Sequence, residues 1–156
     1  MVNEIPFSSL GFAYLRVDIK PRYSATMETL TYKVDTGASC TTISGERLYD
    51  LGFDEDWIKT GKLLTGYERP TLASGAVVED CYEIVLPEIQ IGGWVGYNWP
   101  FLTSLSVPFR LLLGTDSLQF FNWKLVYERN VCQFELRPGK RRLLFNQQEQ
   151  SIHAME

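Results

Sequence analysis

The sequence predicts a mostly β domain, a closed β-barrel or folded sheet with one or two short helices. Three observations carry that expectation. Short runs of β-branched and aromatic residues recur along the chain, glycine-bearing turns separate them, and few stretches carry helix-start signals. At 156 residues the chain is about one domain long, and its 45% apolar composition suffices for a core. With no internal repeat and no linker, we expect a single domain over 1–137 and a polar tail over 138–156, rich in Gln, Arg and Glu and loosely held.

The elements follow in order. Leu10 to Ile19 alternates, Phe12, Tyr14 and Arg16 against Ala13, Leu15 and Val17, which is the period of a half-buried strand. Turn residues fill Pro21 to Met27, and Leu30 to Val34 reads as a second strand delivering Asp35. Ser44 is placed to cap a short helix through Tyr49 that Gly52 ends. A further helical or turn segment over Asp54 to Lys59 stops at Gly61. From Lys62 to Leu86, two β-prone arms surround Ala73-Ser74-Gly75, the pattern of a long hairpin with a small, mobile tip. Glu88 to Ile91, Gly92-Gly93 and Trp94 to Tyr97 make strand, turn and strand. Arg110 to Leu113 reads as a buried strand that Gly114 ends, after which Thr115 or Asp116 caps a helix over Ser117 to Phe121. Trp123 to Tyr127 and Val131 to Leu136 pair across Arg129-Asn130 as a last hairpin.

Composition removes several function classes. Mixed charges and a net charge of −4 give no electrostatic case for nucleic acid or a membrane surface. Lys140-Arg141-Arg142 reads as a solvated part of the tail. No run approaches the ~18 apolar residues of a membrane span, and the opening Met1 to Pro6 shows no secretory pattern. The odd cysteines, Cys40, Cys81 and Cys132, suit reduced core thiols and a cytoplasmic setting. The single His153 lies in the tail, so Ser-His-Asp, Cys-His and zinc chemistry lack their histidine. No phosphate-binding glycine loop is present, and no metal or cofactor is expected. Trp94, Tyr97, Trp99 and Phe101, without a basic face, are expected in the core or an interface between copies.

Tyr32-Lys33-Val34-Asp35-Thr36-Gly37-Ala38-Ser39 remains. A carboxylate at a strand end, followed at once by a glycine turn, sits at the lip of a sheet where N–H groups and hydroxyls orient it. Far along the chain, Leu111-Leu112-Leu113-Gly114-Thr115-Asp116-Ser117-Leu118 provides an apolar strand, a glycine and a helix start.

With these two stretches and the glycine-bearing hairpin between them, the sequence resembles the retropepsin-like aspartic peptidases, single-lobed relatives of pepsin, from about Leu10 to Leu136. The resemblance implies a peptide-bond hydrolase in which two carboxylates share a proton and hold a water. One Asp-Thr-Gly per chain supplies half of such a site, so a homodimer is implied, with Asp35 contributed by each copy. By similarity, Thr36 would bond its twin's loop and Gly37 would let backbone N–H approach the carboxylate. Ser39 would donate to its outer oxygen. Many viral members carry an acidic residue there, so serine points to a more acidic working range. The region from Gly66 to Val78, with Ala73, Ser74 and Gly75 at its tip, would close as a flap over an extended peptide. Asp116 stands in the wrong order for a second catalytic triplet and is expected to cap its helix. The alternatives are a non-catalytic peptide-binding or dimerisation module of the same fold, and an enzyme that processes only itself or one dedicated partner.

Overall fold

The computed structural model describes residues 3–6, 13–92, 94–136, 142–146 and 151–155. In chain order come β1 (Asn3–Pro6), β2 (Tyr14–Ile19), β3 (Glu28–Val34), α1 (Gly45–Asp50), α2 (Glu55–Ile58), β4 (Lys62–Leu63) and β5 (Cys81–Ile91). They are followed by β6 (Trp94–Ser104), β7 (Leu112–Leu113), α3 (Thr115–Leu118), β8 (Phe121–Val126), β9 (Val131–Leu136), β10 (Arg142–Asn146) and β11 (Ser151–Met155). The expected Leu10 to Phe12 part of the first strand lies outside the described residues.

The mostly β expectation holds. An eight-stranded sheet runs β11-β10-β6-β5-β2-β3-β7, with β4 pairing β5, and a three-stranded sheet runs β1-β9-β8. Among the described residues the strand path is open: β7 does not pair with β6. Thr41–Ile43 spans that gap instead, through an isolated parallel bridge from Thr42 to Leu102 and a bond from Thr42 N to Leu112 O of 3.0 Å.

β2 and β3 pair with Leu15 opposite Tyr32 and Val17 opposite Leu30. The alternation along β2 buries Leu15, Val17 and Ile19, as its period requires. β5 and β6 form a hairpin longer than the sequence suggests, pairing from Cys81 opposite Ser104 to Ile91 opposite Trp94. Pro87 interrupts it, having no N–H to donate, and Asn98 on β6 takes φ +50 near the break. The buried positions change parity there, from Ile84 and Leu86 to Ile89 and Ile91. These isoleucines and leucines join Trp99, Phe101, Tyr32, Ile43 and Leu48 in the main core, where each fully buried aliphatic contributes about 1.5–3 kcal/mol.

Both early helices start as their sequences direct. Ser44 accepts from Arg47 N at 3.2 Å to open α1, and Gly52 at φ +89 follows its end. Asp54 accepts from Trp57 N at 2.8 Å to open α2.

Three expectations change. α3 spans Thr115–Leu118, not Ser117 to Phe121, because Phe121 is drawn into β8, buried edge-on against Phe134. The long hairpin over Lys62 to Leu86 is a shorter construction. β4 adds two residues to β5, a 3₁₀ turn covers Gly66–Glu68, and a separate tight hairpin closes with Thr71 opposite Val77. In place of a loose tail, β10 and β11 pair with each other, and β10 runs parallel to β6 with Leu143 opposite Gly96. The short apolar run Leu143 to Phe145 is diluted by polar neighbours, and its partner strand is remote in sequence.

Candidate active site

Asp35 follows the last residue of β3, at the end of the ladder that β3 makes with β7. Lys33 N donates to Leu111 O at 3.0 Å and Asp35 N to Leu113 O at 3.1 Å, so the ladder reaches Asp35 itself. The chain then turns, Ala38 N donating to Asp35 O at 3.2 Å. Gly37 N donates to Asp35 Oδ1 at 2.9 Å, orienting the half-buried carboxylate. A side chain at Gly37 would bring its Cβ to 3.3 Å from that oxygen, a crowding that glycine avoids. Thr36, Gly37 and Ser39 are exposed along the loop's outer face. The Ser39 hydroxyl lies 3.7 Å from Cys40 Sγ.

The loop's inner side rests on α3. Thr115 N donates to Ala38 O at 2.8 Å and Asp116 N to Ser39 O at 3.3 Å. Gly114 permits this approach, since a Cβ there would stand 2.5 Å from Cys40 O. The expected cap is corrected: Gly114 itself takes the N-cap position, with no side-chain bond. The Asp116 carboxylate turns instead to the Asp35 loop, where Oδ2 accepts from Thr41 N at 3.1 Å and Oδ1 from Thr41 Oγ1 at 2.7 Å. Oδ1 also accepts from Ser117 N at 2.8 Å. Helix dipole and cap chemistry yield here to a longer-range set of donors. Behind it, Thr41 Oγ1 and Ser117 Oγ are 2.7 Å apart, and Trp99 Nε1 donates to Ser117 Oγ at 2.9 Å. Thr41, Ser117 and Trp99 are buried.

Burial raises the Asp116 carboxyl above its ordinary 3.8, against the opposing pull of the bonds from Thr41 and Ser117. Burial likewise raises the Cys40 thiol, and it pushes Cys81 up to about 12 with the nearby Cys40 adding to the rise. Both are thiols rather than thiolates at neutral pH, which argues against a cysteine nucleophile.

The hairpin tip is exposed at Ala73, Ser74 and Gly75. Leu72 N donates to Ala76 O and Gly75 N to Leu72 O, each at 2.8 Å, and Gly75 takes φ +89 as so tight a turn requires. Pro70 sits at the hairpin's root without cost, because only its carbonyl is used, accepting from Val78 N at 2.9 Å. Val78 is buried with Leu64, Cys81 and Leu102, and Cys40 packs against the same small cluster. The root of the hairpin and Cys40 of the Asp35 loop thus share one patch of core.

Sequence reasoning singled out Asp35, Thr36, Gly37, Ser39 and the hairpin tip, which are local signals. It missed Thr41, Ser117 and Trp99, whose meeting joins residues up to 76 positions apart. Among the described residues, no group of three or more His, Cys, Asp or Glu is placed to hold a metal ion.

Comparison with known proteins adds two findings. The sequence model of the family described as aspartyl protease matches residues 27–117, more than half of the chain, from the residue before β3 into α3. A crystal structure of a retropepsin-like aspartic protease from Rickettsia conorii superposes with a TM-score of 0.59 at 21% identity, covering 86% of this chain and 91% of that one. A likeness at that identity speaks for the fold. A comparison with curated proteins found no match.

Proposed function

The chain belongs to the aspartyl protease family, and from that premise we propose that it is an aspartic endopeptidase acting as a homodimer. The observation that carries the reading is Asp35. Its carboxylate is half-buried at a sheet end, with one oxygen held by Gly37 N and exposed Thr36 and Gly37 beside it. A second copy, related by a two-fold axis, would bring its own Asp35 alongside. Two carboxylates in contact cannot both ionise readily, so one keeps a proton; the handling of that shared proton is the established behaviour of aspartic protease pairs.

The ionised member takes a proton from water as the water oxygen bonds to the peptide carbonyl carbon. The protonated member gives its proton to the carbonyl oxygen. Collapse of the tetrahedral intermediate breaks the C–N bond, with a proton passing to the departing nitrogen. Thr36 is the residue for bonding the twin loop, and Ser39 a donor on the site's outer edge. The Ala73-Ser74-Gly75 tip would close over an extended peptide and exclude water. The exposed Leu72 and Val77 beside that tip support apolar contacts with the substrate. The three free thiols suit a reducing, cytoplasmic setting.

Asp35→Asn keeps the shape of the side chain and removes its acid-base chemistry. Peptide-library cleavage by the purified variant is expected to fall by at least about a thousandfold while the circular dichroism spectrum is unchanged. Cleavage that survives the substitution would overturn the assignment. Binding of peptides without cleavage by the unsubstituted protein would move it to a non-catalytic module.

A further inference from the structure

We propose that Thr41 and Asp116 form an internal clamp that sets the position of the Asp35 loop, making both of them positioning residues for Asp35. The inference rests on the aspartic protease reading only for its catalytic consequence; the clamp itself stands on geometry.

The Asp35 loop leaves β3 at Asp35 and returns to the sheet at Thr42, whose N–H donates to Leu112 O at 3.0 Å. Between those points its outer face is exposed and held only by contacts within the loop, Gly37 N to Asp35 Oδ1 and the Ser39 hydroxyl beside Cys40 Sγ. Its inner face is where the strong contacts gather. Thr41 presents two donors, N and Oγ1, to the two oxygens of one carboxylate, and that carboxylate accepts a third bond from Ser117 N. Thr41 Oγ1 also accepts from Gly114 N at 3.2 Å, so one hydroxyl ties the loop to the glycine where β7 turns into α3. Bonds to a charged acceptor are among the stronger ones, and in a buried place few waters compete for them. Trp99 Nε1 fixes the Ser117 hydroxyl and so references the cluster to β6. The Cys40 thiol is the titratable group that faces Asp116 from the loop. A site that must hold two carboxylates in contact tolerates displacements well under ~1 Å. A loop free on its outer face obtains that tolerance from behind.

Thr41→Val replaces the hydroxyl by a methyl of the same shape, and Thr41→Ser keeps the hydroxyl. Asp116→Asn keeps Oδ1 as an acceptor and turns an amide toward Thr41 N. The measurements are kcat and KM on a cleaved peptide, together with hydrogen exchange at single backbone amides. Thr41→Val is expected to lower kcat by about tenfold to a hundredfold with KM within about twofold. Exchange at the Ala38 and Thr41 amides should rise about tenfold or more, with exchange along β5 unchanged. Thr41→Ser should recover most of both losses, and Asp116→Asn should move both readouts in the direction of Thr41→Val.

Exchange at Ala38 and Thr41 that matches the unsubstituted protein in Thr41→Val overturns the clamp. A loosened loop with unchanged kcat overturns the positioning role. A rise in exchange spread equally over β5 would show a general structural contribution and also overturn it. If Thr41→Val does not fold, Asp116→Asn carries the same comparison. If the unsubstituted protein shows no Asp35-dependent cleavage, the functional reading fails while the exchange data still decide the clamp.

Discussion

Asp35 and Asp116 are two carboxylates with opposite legibility. Asp35 is readable because its neighbours in sequence are also its neighbours in space, and the glycine two residues on supplies its hydrogen bond. Asp116 looks like a helix cap, since an acidic residue after a glycine normally finds its donors within the next turn. Its main donors come instead from Thr41, across 75 positions of chain. This gives Asp116 a distinct effect on stability. Burial raises its carboxyl above 3.8, so the folded chain retains a proton in a range where the unfolded chain has released it. With more protons bound in the folded state, stability on this group alone falls as pH rises from about 3.8 through the higher folded value. Asp116→Asn cannot titrate and is expected to remove that slope. Urea midpoints measured across acid to neutral pH check this; a variant with the same slope as the unsubstituted protein refutes it.

At the level of elements, the helix starts at Ser44 and Asp54 and the turns at Gly52 and Gly75 follow from local chemistry, and the structure keeps them. Elements that depend on a distant partner were misjudged. The helix expected to reach Phe121 stops earlier because β9 recruits that residue, and β10 forms on the edge of β6 from a short apolar run, Leu143 to Phe145, set among polar residues. The described core lies between Ala13 and Phe134, ahead of β10. A chain ending at 137 is therefore expected to keep its fold, losing at most about 1–2 kcal/mol by thermal unfolding. Amides of β6 near Val95 to Tyr97, which face β10, should exchange faster in the shortened chain. Loss of the cooperative transition on truncation would instead make β10 and β11 part of the folding unit.

For the whole molecule, the decisive matter is that one chain carries one Asp-Thr-Gly. If activity needs two chains, specific activity must fall on dilution below the dimer's dissociation constant, with the rate shifting from the first toward the second power of protein concentration. Cleavage assays over a dilution series, paired with sedimentation velocity, measure this. A rate that stays proportional to concentration while the protein sediments as a monomer would refute the homodimer. The same arithmetic explains why fold and function were legible to different depths. A mostly β domain is written in short alternating runs and turns, whereas the sheet's order, the gap that Thr41–Ile43 spans and the hairpin root beside Cys40 emerge only when the chain is folded.

The amino-acid order by itself determined the acid at a strand end, the glycine beside it, the helix starts and the periodicity of the strands, because each depends on residues within a few positions of one another. The tertiary structure alone decided what stands behind that acid. Thr41, Asp116, Ser117 and Trp99 meet only once β7 is laid beside β3, and a buried hydrogen bond depends on separations in space that no spacing along the chain encodes.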